Sequence, residues 1–188
     1  MVWLVIIAGY ILGSFPTAYL AGRFLRARDI RNMGDENVGA ANAFRELGPA
    51  VGVMVFLIDV TKGAMAIVIA QASGMPQAVV LCAGAVAVVG HNWPVFLGFR
   101  GGRGVSTTIG VLFVLVTIPM FVMLLPVILV LVWKRNVTPA MAFLFILLPL
   151  VDLLFKVPPL LILYGIALPA LVGITHFFRV KPKELPQA

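Results

Sequence analysis

The chain alternates between long apolar runs and short polar segments, and this alternation predicts its elements. Six apolar runs contain few charged residues: 2–20, 49–72, 78–89, 105–133, 139–151 and 158–178. Because about 20 apolar residues cross a hydrocarbon core of about 30 Å, the longer runs match membrane spans. The polar segments at 23–48 and 90–104 are rich in arginine and glycine. The pattern predicts an all-α polytopic membrane bundle with two polar loops.

The run at 105–133 allows two interpretations. As one helix it would be about 43 Å long, which exceeds the hydrocarbon core. Divided near residues 117–119, it would form two short spans of about 20 Å each. The division places every basic residue except Lys62 and Lys156 on one side, which the positive-inside rule assigns to the cytoplasm. That side includes the tail residues Arg179, Lys181 and Lys183. We expect about seven spans, some short or broken, with the N-terminus outside and the C-terminus inside.

Composition supports an integral membrane protein. Of 188 residues, 62% are hydrophobic and 11% are charged, and the mean hydropathy is +1.10. A soluble domain of this size could not bury so much apolar surface. We expect one domain over residues 1–188, with the first apolar run retained as a span because it lacks a basic start and a small-residue cleavage site. The single Cys82 excludes an internal disulfide and a thiolate metal cluster.

The segment 90–104 contains the highest concentration of candidate functional residues. Its polar and flexible residues are His91, Arg100, Gly101, Gly102, Arg103 and Gly104. Glycines allow a sharp turn that exposes backbone N–H groups, arginine forks match phosphate oxygens, and the helix start that follows favours an anion. The segment therefore predicts a phosphate cradle at the membrane surface.

A second group of candidate functional residues lies at positions 34–45. It contains Asp35, Glu36, Asn37, Gly39, Asn42 and Arg45. By itself it resembles a turn with helix-capping Asp and Asn, a common use of these residues. Because it shares a membrane face with the arginine-rich and glycine-rich segment 90–104, we favour a loop that closes over a polar ligand.

Two further features leave alternatives open. Asp59 and Lys62 lie three apart on one helix face within an apolar run, either as a functional relay or as a pair that neutralises itself. His91 and His176 could each bind a hydroxyl or act as a base. Since no cysteine or carboxylate stands at metal-ligand spacing from them, we expect no metal.

Several activities lack their motifs. Residues 98–103 lack the Lys-Ser/Thr ending of a P-loop. No histidine is followed by aspartate at H-x4-D spacing, and residues 104–108 do not form a G-x-S-x-G elbow. The basic loops alternate with spans and offer no extended groove, so we expect no nucleic acid. Topology and anionic lipid explain their charge better.

Four motifs together resemble the bacterial PlsY family, which transfers an acyl chain from acyl-phosphate to glycerol 3-phosphate. They are residues 13–19, 34–45, 59–63 and, most specifically, 90–104. The resemblance implies seven spans with the motifs on the cytoplasmic face of the bacterial inner membrane. It implies lysophosphatidic acid and phosphate as products, the first step of phospholipid synthesis. We expect no cofactor and no obligate protein partner.

The resemblance also implies residue roles. The expected catalytic residues are Asp35, Asn37, Arg45 and His91. The expected substrate-binding residues are Gly39, Asn42, Gly101, Gly102, Arg103, Gly104 and His176. Of these, the segment 101–104 would hold the acceptor's phosphate, and Arg45 matches an essential arginine of the family.

This chain departs from the family pattern at four positions. Asp35 replaces a serine, Glu36 a glycine, Arg103 a lysine and Arg179 an asparagine. Two carboxylates thus enter a loop that would bind an anion. They must point away, be offset by Arg45 or Arg103, or face a different acceptor, and Asp35 could act as a base. The alternatives are transfer to another small polar acceptor, or a silent paralogue that binds anionic lipid or transports a phosphorylated solute.

Overall fold

A computed structural model describes residues 1–179, and the predicted tail positions Lys181 and Lys183 lie outside them. The described chain is helical, with 3-10 turns at Ile30–Asn32 and Val95–Leu97 and no strand. The helices are α1 (Val2–Ser14), α2 (Thr17–Arg26), α3 (Ala40–Glu46), α4 (Pro49–Ala72), α5 (Gln77–Asn92), α6 (Val105–Leu115), α7 (Thr117–Lys134), α8 (Val137–Leu154) and α9 (Pro159–Arg179). The predicted all-α membrane bundle is confirmed.

Six helical stretches in the described chain are long and apolar enough to cross a membrane. They are Val2–Arg26, Pro49–Ala72, Gln77–Leu97, Thr117–Lys134, Val137–Leu154 and Pro159–Arg179. The seventh apolar helix, α6, has 11 residues and is only about 16 Å long. The predicted division of the run 105–133 near residues 117–119 is confirmed, because Val116 leaves the helical conformation between α6 and α7.

The first predicted span, residues 2–20, is two helices rather than one. α1 ends at Ser14 and α2 begins at Thr17. Pro16 lacks a backbone N–H and disfavours a helical conformation at Phe15, so the helix breaks there. The Phe15 carbonyl accepts a hydrogen bond from Lys62 Nζ at 3.1 Å, which joins the break to α4.

Glycines bring the central helices into backbone contact. A Cβ on Gly13 would collide with the Ala87 backbone between α1 and α5, and one on Gly110 would collide with the Val60 backbone between α6 and α4. Small residues allow this close approach in membrane helices. The packing sets the end of α5, where segment 90–104 begins, beside the break between α1 and α2.

Candidate functional site

Asp35 joins the two polar loops. Arg45 Nη2 lies 3.1 Å from Asp35 Oδ1, and Arg103 Nη1 lies 3.0 Å from Asp35 Oδ2. Arg45 comes from α3 and Arg103 from the glycine-rich segment, so one carboxylate binds a guanidinium from each. We call Asp35, Arg45 and Arg103 the arginine bridge. Of the three arrangements open for Asp35, the structure has its charge offset by both arginines.

Asn42 holds the backbone around Asp35. Its side chain is fully buried and donates to the carbonyls of Met33 at 3.0 Å and Asn37 at 3.1 Å. Its Oδ1 accepts from the Asp35 backbone N–H at 3.4 Å. Gly39 precedes α3 in an extended conformation, and Asn37 contributes its carbonyl to this network. Asn42 therefore organises the loop from inside, away from its exposed face.

The glycine-rich segment packs directly on the end of α5. The Gly101 N–H donates to the Asn92 carbonyl at 3.2 Å, and the Gly102 N–H donates to the His91 carbonyl at 3.0 Å. A Cβ on Gly102 would fall on His91 Nε2. These two N–H groups are therefore not free to bind an anion, contrary to the expectation, and the missing side chains serve close packing.

The start of α6 offers other donors. Gly104, at φ +85°, adopts the left-handed conformation and is the residue before α6. The first N–H groups of a helix have no carbonyl acceptor within that helix, and the helix dipole adds positive potential there. The first turn of α6 follows directly after Arg103, so its donors and the arginine bridge lie at neighbouring chain positions.

Arg179 fastens the glycine-rich segment to α9. Its guanidinium donates to the carbonyls of Gly101 at 3.0 Å, Gly102 at 2.6 Å and Asn92 at 2.7 Å, and it lies over the Trp93 ring. From the sequence, Arg179 was assigned a basic position on the cytoplasmic side and a departure from the family pattern, but no contact with the glycine-rich segment. The one signal of its role was a basic residue in the last turn of a helix, where it can reach loop carbonyls.

A second polar group lies inside the helix bundle. Asp59 Oδ1 binds Lys62 Nζ at 2.8 Å and Thr17 Oγ1 at 3.0 Å, and the His91 Nδ1 atom lies 3.8 Å away. All four side chains are buried. We call Thr17, Asp59, Lys62 and His91 the buried cluster. Asp59 and Lys62 form the neutralising pair that the sequence allowed, but they also contact groups from α2 and α5.

His91 belongs to this buried cluster rather than to the arginine bridge. It lies beneath Gly102, and a cavity of about 10 Å³ adjoins it, with Asp59 and Lys62 in its wall. Asp59 Oδ2 is buried without a hydrogen-bond partner in the described chain. His176, by contrast, interacts electrostatically with Arg103 and Asp35. The site thus has an outer layer at the loop surface and an inner layer below the glycines.

A third carboxylate lies at the edge of the polar loop. Asp29 binds Arg31 at 2.8 Å and Arg23 at 3.1 Å, and Arg31 also packs over the Tyr19 ring. The hydrogen bond from the Arg31 side chain lowers the pKa of Asp29 to about 2. Asp29 caps the 3-10 turn that follows it by accepting from the Arg31 N–H, so its charge supports local loop structure.

Known proteins match nearly the whole chain. The family model for glycerol-3-phosphate acyltransferase matches residues 3–181. Glycerol-3-phosphate acyltransferase 4 of Dehalococcoides mccartyi is 47% identical over 182 residues, covering 97% of this chain and 98% of the relative. The glycerol-3-phosphate acyltransferase of Syntrophomonas wolfei is 40% identical over 167 residues, covering 89% and 85%.

Solved structures agree with these matches. The glycerol 3-phosphate form of PlsY, an integral membrane glycerol 3-phosphate acyltransferase, superposes with a TM-score of 0.86 at 34% identity, covering 94% of this chain and 88% of that one. The lysophosphatidic acid form gives a TM-score of 0.81 at 34% identity, with 93% and 87% covered. The predicted family and the prediction of an acyltransferase are both confirmed. With its helices, its two polar loops and its full-length relatives in agreement, the chain belongs to the PlsY family of integral membrane glycerol-3-phosphate acyltransferases.

Proposed function

We propose that this chain transfers a fatty acyl group from acyl-phosphate to glycerol 3-phosphate, giving 1-acyl-glycerol 3-phosphate and phosphate. The observation that carries the proposal is that Arg45 and Arg103 converge on a single carboxylate. Two guanidinium groups close enough to bind one carboxylate are close enough to bind one phosphate, and arginine forks match both anions. The names of the relatives supply the acceptor's identity.

The chemistry needs no covalent enzyme intermediate, because an acyl-phosphate is already activated. The acceptor hydroxyl attacks the acyl carbonyl carbon, the bond between that carbon and the phosphate oxygen breaks, and the hydroxyl proton leaves on the released phosphate. Arginine side chains and first-turn N–H groups of α6 would stabilise the carbonyl oxyanion and the departing phosphate. Holding hydroxyl and carbonyl together supplies the rest of the rate enhancement.

An apolar cavity supports a place for the acyl chain. It has a volume of about 370 Å³, and its wall includes Ile11 of α1, Met65 of α4 and Phe96. Phe15 and Lys62 line both this cavity and the small one beside His91, so the apolar space reaches the inner layer of the site. A fatty tail in this cavity would have its carboxyl end near the polar groups.

The distribution of charge supports the proposed location. Arg23, Arg45, Arg103 and Lys134 belong to loops and helix ends that share one side in the seven-span arrangement. Basic residues near span ends are enriched on the cytoplasmic side. We place the protein in the bacterial inner membrane with its active site on the cytoplasmic face.

Purified full-length protein in detergent would test the reaction with palmitoyl-phosphate and glycerol 3-phosphate. Phosphate release and lyso-product formation should occur together. Arg103→Ala should lower kcat/KM by about 100-fold or more, since loss of a transition-state charge partner costs that order of rate. Lys156→Ala removes an exposed cation from the helix end that the seven-span arrangement places on the opposite side, and it should leave turnover unchanged.

Three outcomes would contradict the proposal. Turnover with palmitoyl-CoA but not with palmitoyl-phosphate would exclude acyl-phosphate as the donor. Turnover with another polyol but not with glycerol 3-phosphate would exclude glycerol 3-phosphate as the acceptor. Binding of glycerol 3-phosphate with no turnover under either donor would identify a silent paralogue.

A further inference from the structure

We propose that the Asp35 carboxylate is an internal competitor for the acceptor's phosphate. In the free enzyme it occupies the space between Arg45 and Arg103, and it swings away when a phosphate ester binds there. This inference rests on the proposed function and concerns how tightly that site holds its phosphate. It makes Asp35 a residue that sets affinity, and it contradicts a role for Asp35 as the catalytic base.

The contacts of Asp35 are those that a phosphate would need. Each carboxylate oxygen binds a different arginine, and each of these contacts is a charge-assisted pair near 3 Å. A phosphate placed between the same guanidinium groups would meet the carboxylate charge at close range. Two negative groups there would repel, so the site favours either Asp35 or the phosphate.

Arg103 has donor capacity that Asp35 does not fill. Its side chain is only 12% exposed, and its Nε is buried without a hydrogen-bond partner in the described chain. An arginine carries five N–H donors, and an unmet buried donor is unfavourable. A phosphate offers more acceptor oxygens than a carboxylate, so it can accept from guanidinium donors of Arg103 that Asp35 leaves unmet.

Displacement requires only a side-chain rotation. The Asp35 side chain is 35% exposed, whereas its backbone is tied to the buried Asn42. Rotation about the side-chain bonds can carry the carboxylate into solvent while Asn42 keeps the loop in place. The fixed backbone then returns Asp35 to the arginines once the ligand leaves.

This arrangement has a consequence for turnover. A competitor weakens the binding of the acceptor and of the phosphate product alike, because both would contact the same arginines. An enzyme that produces phosphate in every cycle gains from its easy release. Asp35 therefore lowers the affinity for the acceptor and speeds the release of the phosphate product.

Asp35→Asn tests the inference, since it keeps the shape and removes the charge. We would titrate full-length protein in detergent at low ionic strength with inorganic phosphate, and measure KM for glycerol 3-phosphate in parallel. Both the dissociation constant for phosphate and the KM should fall about tenfold, which corresponds to about 1.4 kcal/mol. Product inhibition by phosphate should strengthen by a similar factor.

Glu46→Gln is the matched control. Glu46 lies on α3 next to Arg45 and forms no ion pair with either arginine in residues 1–179, so its loss changes net charge alone. Its phosphate affinity should stay within twofold of the wild type. Thermal unfolding of both variants verifies that they are folded.

Unchanged or weaker phosphate affinity in Asp35→Asn would overturn the inference. A large loss of kcat with unchanged phosphate affinity would instead establish Asp35 as a base. The phosphate titration needs no turnover, so it still decides the question if the chain fails to acylate glycerol 3-phosphate.

Discussion

Asp35 and Asp59 each bind two partners, but they do so in different surroundings. Asp35 bridges Arg45 and Arg103 at the loop surface, with its side chain 35% exposed. Asp59 binds Lys62 and Thr17 within the helix bundle, with its side chain 1% exposed. Water screens and replaces contacts at the surface, so the arginine bridge can exchange its carboxylate for a ligand. The Asp59 pair has no such substitute, because a buried charge without a partner is strongly unfavourable. The difference separates an ion-paired carboxylate that solvent reaches from one that it does not.

The largest expected effect comes from breaking the buried pair. Asp59→Asn leaves Lys62 charged and unpaired inside the bundle, which should lower the free energy of unfolding by about 3–5 kcal/mol. The double variant Asp59→Asn with Lys62→Met removes both charges and should recover much of that loss. Thermal unfolding in detergent measures the stability of the wild type, the single variant and the double variant. A double variant less stable than the single one would show that the pair does not act as a unit.

A smaller effect should come from the contact between the two layers. In Gly102→Ala the new Cβ would fall on His91 Nε2, so the loop or the histidine must move. Overpacking of this kind destabilises by about 1–3 kcal/mol. The shift should also weaken phosphate binding, since Arg103 follows Gly102 directly.

Gly173→Ala is the control for that substitution. A Cβ at Gly173 would meet nothing within 4 Å, and the residue lies in the interior of α9. Alanine favours a helix over glycine, so this variant should be as stable as the wild type or slightly more stable. Equal destabilisation by both alanine variants would mean that the His91 contact is unimportant.

The smallest effect is expected at Asp29. Its folded pKa of about 2 lies below the ordinary 3.8, so its carboxylate stabilises the fold above pH 3.8, and this contribution is lost as the pH falls toward 2. Because the pair is close to solvent, Asp29→Asn should cost under about 1 kcal/mol at neutral pH. Unfolding measured at pH 6 and pH 2.5 should show the variant losing less stability than the wild type. An equal loss in both would assign the acid sensitivity to other groups.

Much of the fold was predictable because the membrane imposes simple rules. The break between α6 and α7 followed from helix length and the distribution of positive charge, and the structure has it at Val116. The break between α1 and α2 was missed, although Pro16 was the available signal. The apolar run 2–20 is continuous, and a hydropathy pattern does not show that Pro16 lacks the backbone N–H that a continuous helix needs.

The site was predictable as a set of segments but not as a set of contacts. Pairing the loops at 34–45 and 90–104 allowed Arg45 or Arg103 to offset Asp35 as one of three arrangements, and the structure has both arginines doing so. The location of His91 beneath Gly102 was not anticipated, nor was the use of the Gly101 and Gly102 N–H groups by backbone carbonyls. Both features depend on the path of the backbone after the end of α5, and the residue types alone do not determine that path.

The sequence by itself determined that this chain is a membrane helix bundle of the PlsY family, because hydropathy, charge bias and motif spacing are properties of the linear chain. Only the tertiary structure decided which charges meet. Asp35 could have faced solvent, yet it lies between Arg45 and Arg103, and Arg179 reaches from α9 to three loop carbonyls. The contacts of Arg103 with Asp35 and of Arg179 with Gly101 join residues far apart in the chain, so they form only when the helices that carry the loops have packed.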